Sequence, residues 1–220
     1  MATTFQDAVN VNGLFTPSTI VYPAGSITNA ALSSTLDLPR SKLVQETLEA
    51  HPVPLTDMRV WDAVGTVLPA AAANDDMGLI TGTFGTDVPT LQSIDFKTTS
   101  PDEKCRFFFV LPVEYDDAQT ITLRLAAGMI TTVSDGTATV DAQCYKSDRA
   151  GAVGADICAT AAQSINSLVK ANVDFTITPT GLAPGDLLDI RLVFGGSDTA
   201  TGAAVICEIS QVEMLLDVRG

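Results

Sequence analysis

Residues Cys105 to Met129 constrain the fold of this chain more than any other stretch. They read CRFFFVLPVEYDDAQTITLRLAAGM. Cys105, Phe107, Phe109, Leu111, Val113 and Tyr115 share one parity, with Arg106 and Glu114 on the other. After Asp116-Asp117-Ala118-Gln119, the residues Ile121, Leu123, Leu125, Ala127 and Met129 alternate with Thr120, Thr122 and Arg124. Period-two alternation of this length predicts two half-buried strands joined by a short polar turn. Each would cover a core with one face and meet water with the other. Phe108 and Val110 interrupt the polar face of the first strand, which is therefore expected to be central and covered in part on both sides.

Strands dominate elsewhere too. Thr137 to Lys146 sets Ala138, Val140, Ala142 and Cys144 against Thr137, Thr139, Asp141 and Gln143. Val173, Phe175 and Ile177 alternate with polar residues. A turn at Leu182–Asp186 leads into Leu188, Ile190, Leu192 and Phe194, opposed by Asp189 and Arg191. In the last run, Val205, Cys207 and Ile209 hold one parity and Val212, Met214, Leu216 and Val218 the other. A strand has strict period two, so the switch near Ser210-Gln211 predicts a β-bulge or a change of sheet. Eight or nine strands without a βαβ rhythm predict an all-β, antiparallel jelly-roll-type β-sandwich over residues 55–220. Arg59 to Leu68 reads as one of its strands, with Trp61 in the core.

Residues 1–54 differ. Small apolar clusters, among them Leu14-Phe15, Ile20-Val21-Tyr22, Ile27 and Leu32, are separated by Pro17, Pro23 and Pro39. Each is too short to build a core. A disordered tail is the plain alternative to an extended arm laid on another surface. The arm is favoured because disordered segments are poor in aromatic and β-branched groups. Ser41 to Ala50 can place Leu43, Val44, Thr47 and Leu48 on one helical face, and His51 to Pro54 reads as a stiff linker.

Composition narrows the function classes. The 220 residues include 26 acidic and 12 basic side chains, a formal charge of −14, so a phosphate backbone repels the chain and nucleic acid is not an expected partner. No apolar run reaches the length of a membrane span, and the first residues carry neither the basic nor the apolar region of a secretory signal. Synthesis in a cytoplasm is expected. Cys105, Cys144, Cys158 and Cys207 form no C-x-x-C pair, and all four are expected to be free thiols.

Little in the sequence signals chemistry. The single histidine, His51, sits in the expected linker, which leaves no His-based triad. Asp75-Asp76 and Asp116-Asp117 could supply the carboxyl pair of a glycosidase, yet few aromatic residues are available to stack a sugar. Asp135-Gly136 and Asp198 are candidate calcium ligands without the spacing of a known loop. Neither catalysis nor a cofactor is expected.

Several phrases carry a resemblance. Val11-Asn12-Gly13-Leu14, and the run from Pro23-Ala24-Gly25-Ser26-Ile27-Thr28-Asn29-Ala30 to Ser41-Lys42-Leu43, resemble the leaders of tailed-bacteriophage virion proteins. Phe109-Val110-Leu111-Pro112-Val113-Glu114-Tyr115 and Leu182-Ala183-Pro184-Gly185-Asp186-Leu187 are similar to jelly-roll domains of phage capsid decoration, or cement, proteins. The resemblance implies a non-enzymatic protein on the outer surface of a phage head, bound to the major capsid protein and often trimeric. The expected anchors are Leu14, Phe15, Ile20, Val21, Tyr22, Ile27 and Leu32 in the arm, with Phe108 and Val110 at an oligomer contact. The alternative is a glycan- or receptor-binding module of a phage head or tail fibre, which would need Trp or Tyr in an exposed groove.

Overall fold

The computed structural model describes residues 46–96, 102–131, 136–147, 150–198 and 204–219. Val44–Gly220 is one compact unit. The expected arm anchors, Leu14 to Leu32, lie outside the described residues.

Two antiparallel sheets make a β-sandwich. The first contains β1 (Glu46–Pro52), β2 (Gly78–Ile80), β3 (Thr90–Gln92), β5 (Ile121–Met129), β9 (Ala171–Ile177) and β11 (Cys207–Arg219). Its order is β2-β3-β11-β5-β9, with β1 also on β11. The second contains β4 (Glu103–Val110), β6 (Gly136–Ser147), β7 (Val153–Asp156), β8 (Gln163–Ser164) and β10 (Leu187–Asp198). Its order is β4-β10-β6-β7, with β8 on β6. Alternate residues meet between the sheets. Phe107, Val140, Leu192 and Phe194 from one side pack with Leu123, Phe175, Ile209 and Met214 from the other, all buried.

Parity in the sequence carries through to the strands. In β6, Ala138, Val140, Ala142 and Cys144 are buried, and their neighbours are not. In β11 the ladder with β5 shifts register between Ile209 and Gln211. Ser210 is the extra residue of that bulge, and Cys207, Ile209, Val212, Met214, Leu216 and Val218 all end up buried.

Three expectations are corrected. The two strands of Cys105–Met129 form, but they do not pair with each other: β4 lies in the second sheet and β5 in the first. The connection crosses one end of the sandwich instead of turning back. Leu111 and Tyr115 are buried along it, and the Asp116 amide donates to the Asp217 carbonyl at 2.9 Å. Ten residues with two buried anchors are a sheet crossing, whereas a hairpin turn needs only two to five. β4 is accordingly the first strand of its sheet and not a central one, so Phe108 and Val110 face outwards.

The helix expected over Ser41–Ala50 is the second correction. Glu46–Pro52, which includes part of the expected linker, is a strand paired along its whole length with Glu213–Arg219. The long open edge of β11 offers seven residues of ladder, and an unpaired edge costs more than a weak helical preference returns. Among the described residues there is no α-helix; Leu55–Asp57 is a single 3₁₀ turn. None is long and apolar enough to cross a membrane. The third correction, Trp61, belongs to the site below.

Candidate functional site

The outward face of the second sheet is a grid of polar side chains. Strand register fixes its rows. Asp189 on β10 stands between Phe108 on β4 and Tyr145 on β6. In the next row Arg191 stands between Arg106 and Gln143, and in the one after, Val193 stands between Lys104 and Asp141. These are the polar positions of the alternation, left outside once the apolar parity is buried.

An open cleft of about 450 Å³ lies over this grid. Arg106, Asp189 and Arg191 form its floor. Tyr145 and Val153 stand on one side, Trp61 and Asp62 on the other. Trp61 arrives from outside the sheet edge: Arg59 pairs with Arg106 through two backbone hydrogen bonds of 2.8 and 3.0 Å. Two residues later Trp61 emerges on the same outward face. It is half-buried and stands apart from the buried core cluster, which corrects the expectation that it is a core residue.

Trp61 is held in place. Its indole N–H donates to Asp75 Oδ2 at 2.8 Å. Asp75 sits in a tight turn closed by reciprocal hydrogen bonds between Ala73 and Asp76 of 3.0 and 3.1 Å. Asn74 supplies the left-handed conformation that the turn requires, with φ 61°. The turn is pressed against Gly78, where a Cβ would stand 2.3 Å from the Ala72 nitrogen, so only glycine fits there. Lys104 lies 3.6 Å from Asp75 and 5.0 Å from the centre of the indole ring, and the Arg191 guanidinium is 5.3 Å from it.

The floor is equally ordered. Arg106 grips Asp189 through Nε at 2.6 Å and through a second, Nη2, hydrogen bond. That bidentate pair raises the Arg106 pKa above its usual value. Arg191 donates through Nε to Gln143 Oε1 at 2.8 Å and again through Nη2. Beside them, burial pushes the Asp141 carboxyl above the usual aspartate value.

Behind the Trp61 wall is a buried acid. Glu103 is fully buried, and burial, together with Asp76 and Asp75, pushes its pKa up to about 7 against the hydrogen bond from the Ile94 amide at 3.0 Å. Asp76 is raised as well, by burial first and then by Asp75.

Among the other sequence candidates, Phe108 and Val110 are 45 % and 57 % exposed beside the cleft. Asp116 and Asp117 lie on the crossing between sheets, away from Asp75 and Asp76. His51 sits in β1 with its ring 6.1 Å from that of Phe109. Asp198 is buried at the end of β10, and Asp135 lies outside the described residues. Among the described residues, no group of three or more His, Cys, Asp or Glu side chains could hold a metal ion. Sequence reasoning missed Arg106, Gln143, Tyr145, Asp189 and Arg191 as a set. The available signal was that planar polar or aromatic groups hold the outward parity of three strands.

No protein-family model matches the chain, and no curated protein does. Solved structures match at low identity. A xylan-binding module, CBM15, matches with TM-score 0.41 and 11 % identity over 79 % of this chain and 100 % of its own. The CBM22-1 xylan-binding domain of Paenibacillus barcinonensis Xyn10C matches with TM-score 0.38 and 10 % identity over 66 % of this chain and 82 % of its own. The enzymatically active domain of bacteriophage CBA120 tailspike protein 4 gives TM-score 0.34 and 11 % identity over 78 % of this chain and 19 % of its own. At this level the likeness is one of fold alone.

Proposed function

We propose that this chain is a glycan-binding β-sandwich module, and that the cleft between Trp61 and Tyr145 is its binding site. One observation carries the reading: two aromatic side chains flank a floor of planar, ordered hydrogen-bonding groups. A sugar ring has apolar C–H faces and a polar rim of hydroxyls. Aromatic rings cover the faces, while guanidinium, carboxylate and amide groups pair with neighbouring hydroxyls. The floor groups are held by one another, so little side-chain entropy is lost on binding. The resemblance to tailed-phage virion proteins supports a place on a phage particle, made in the host cytoplasm.

The site binds without turnover. Asp189, the carboxylate in the floor, is engaged on both oxygens by Arg106, so it is not free to protonate a leaving group or attack a sugar carbon. A screen of oligosaccharides against the intact protein tests both points. The expected result is reversible binding that Trp61→Ala abolishes, with no release of reducing ends. Binding unchanged in Trp61→Ala would place the site elsewhere.

A second reading, capsid decoration, is favoured by the apolar edge beside the cleft. Phe108, Val110 and Val113 are 45 %, 57 % and 78 % exposed. Such a strip suits a subunit contact, and a homotrimer attached to the major capsid protein through the arm residues Leu14 to Leu32 follows from the resemblance. Mass measurement in solution on the wild type and on Phe108→Ser with Val110→Ser tests it: a trimer that the double variant dissociates is expected, and a wild-type monomer would end this reading.

A further inference from the structure

We propose that the glycan carries a carboxylate, as a uronic or similar acidic sugar does, and that Arg191 is the residue that reads it. This rests on the cleft being a glycan site. In a chain of net charge −14, cations find acidic partners readily. Arg106 is paired with Asp189, Arg124 with Asp174, Lys104 with Asp75, Lys146 with Asp186 and Lys170 with Glu208. Among the described residues with a charged head in the cleft, Arg191 is the exception: its hydrogen bonds go to the neutral amide oxygen of Gln143. Asp141, the nearest acid on its own face, attracts it without a hydrogen bond between the two, and Asp189 is already taken by Arg106. Asp62, on the cleft wall, is exposed to water.

Gln143 therefore fixes the guanidinium plane without neutralising it. Two of its five N–H groups are used, and its third nitrogen, Nη1, has both of its own left for a ligand. A planar fork of this kind matches a carboxylate in a bidentate pair, and Trp61 lies alongside to stack the ring that bears it. A hydroxyl rim alone does not need a full positive charge at the centre of the floor.

The test compares acidic oligosaccharides, oligogalacturonate and hyaluronan fragments, with the same chains after chemical reduction of their carboxyl groups to alcohols. Calorimetry on the intact wild type should show affinity for an acidic form falling about tenfold or more on reduction. Arg191→Gln should bind both forms alike, and Arg191→Lys should keep part of the preference. Trp61→Ala should lose both. Equal affinity for acidic and reduced chains, with Arg191→Gln unchanged and Trp61→Ala inactive, overturns the carboxylate while leaving the glycan site intact. Binding of no oligosaccharide, or binding indifferent to Trp61, overturns both.

Discussion

The indole nitrogen of Trp61 donates a 2.8 Å hydrogen bond to Asp75, fourteen residues further on, and so fixes one wall of the cleft. The wall is not part of a strand; its position depends on that contact. Asp75→Ala should therefore cost binding more than stability. Loss of a neutral-to-charged hydrogen bond at a half-exposed site is worth about 1 kcal/mol. Oligosaccharide affinity is expected to fall about fivefold, with the unfolding midpoint changed by only a few degrees. Calorimetry and thermal melting on the same variant separate the two effects.

Glu103 makes stability depend on pH. Its folded pKa is raised from 4.5 to about 7, so the folded state favours the protonated acid. The stabilisation is complete below about pH 4.5 and is lost as pH rises through 7. Screening by nearby polar groups limits it to on the order of 1–2 kcal/mol. Glu103→Gln should remove this dependence and melt higher than the wild type at pH 8. Melting curves from pH 5 to 8 check this, and a wild type that stabilises with rising pH in that window would contradict it.

The four thiols should differ sharply in reactivity. Burial pushes Cys105 and Cys207 up to about 12 and Cys144 higher still, so almost no thiolate forms at neutral pH. Cys158 is half-buried and raised less. Under native conditions a thiol reagent should label Cys158 first, and the other three only on unfolding. All four are free in the structure, so denatured, unreduced protein should titrate four. Mass spectrometry of labelled peptides gives the order.

The bulge in β11 predicts an asymmetry between two deletions. Removing Ser210 leaves Ile209 and Val212 in regular alternation, so the buried set stays inward. The expected cost is about 1–2 kcal/mol for the lost local twist. Removing Glu213 turns Met214, Leu216 and Val218 to the opposite face, and the protein should not fold. Circular dichroism and denaturant melts of the two variants are the measurement.

Much of the sandwich was legible because burial imposes period two on β4, β5, β6, β10 and β11. Even the bulge showed as a parity switch across Ser210. Pairing was less legible. Alternation in Cys105–Met129 is the same whether its strands face each other in one sheet or lie in two, and only Leu111 and Tyr115, buried in the connection, decide between them. Glu46–Pro52 misled because Leu48 remains 63 % exposed; ladder bonds to β11, which leave no mark in composition, hold that strand. The site was harder still. Trp61 stands next to Val60 in an apolar-looking segment, and only the turn at Ala73–Asp76 gives its indole a polar partner on the outer face. Arg191 and Gln143 are 48 residues apart and meet through strand register alone.

Trp61 is the only tryptophan in the chain, so its fluorescence reports on the cleft and nothing else. The most direct measurement is an emission titration of the intact protein with an oligosaccharide that calorimetry shows to bind. The account predicts a saturable change in intensity and wavelength, with a midpoint equal to the calorimetric dissociation constant. Calorimetric binding that leaves the emission of Trp61 unchanged would contradict it.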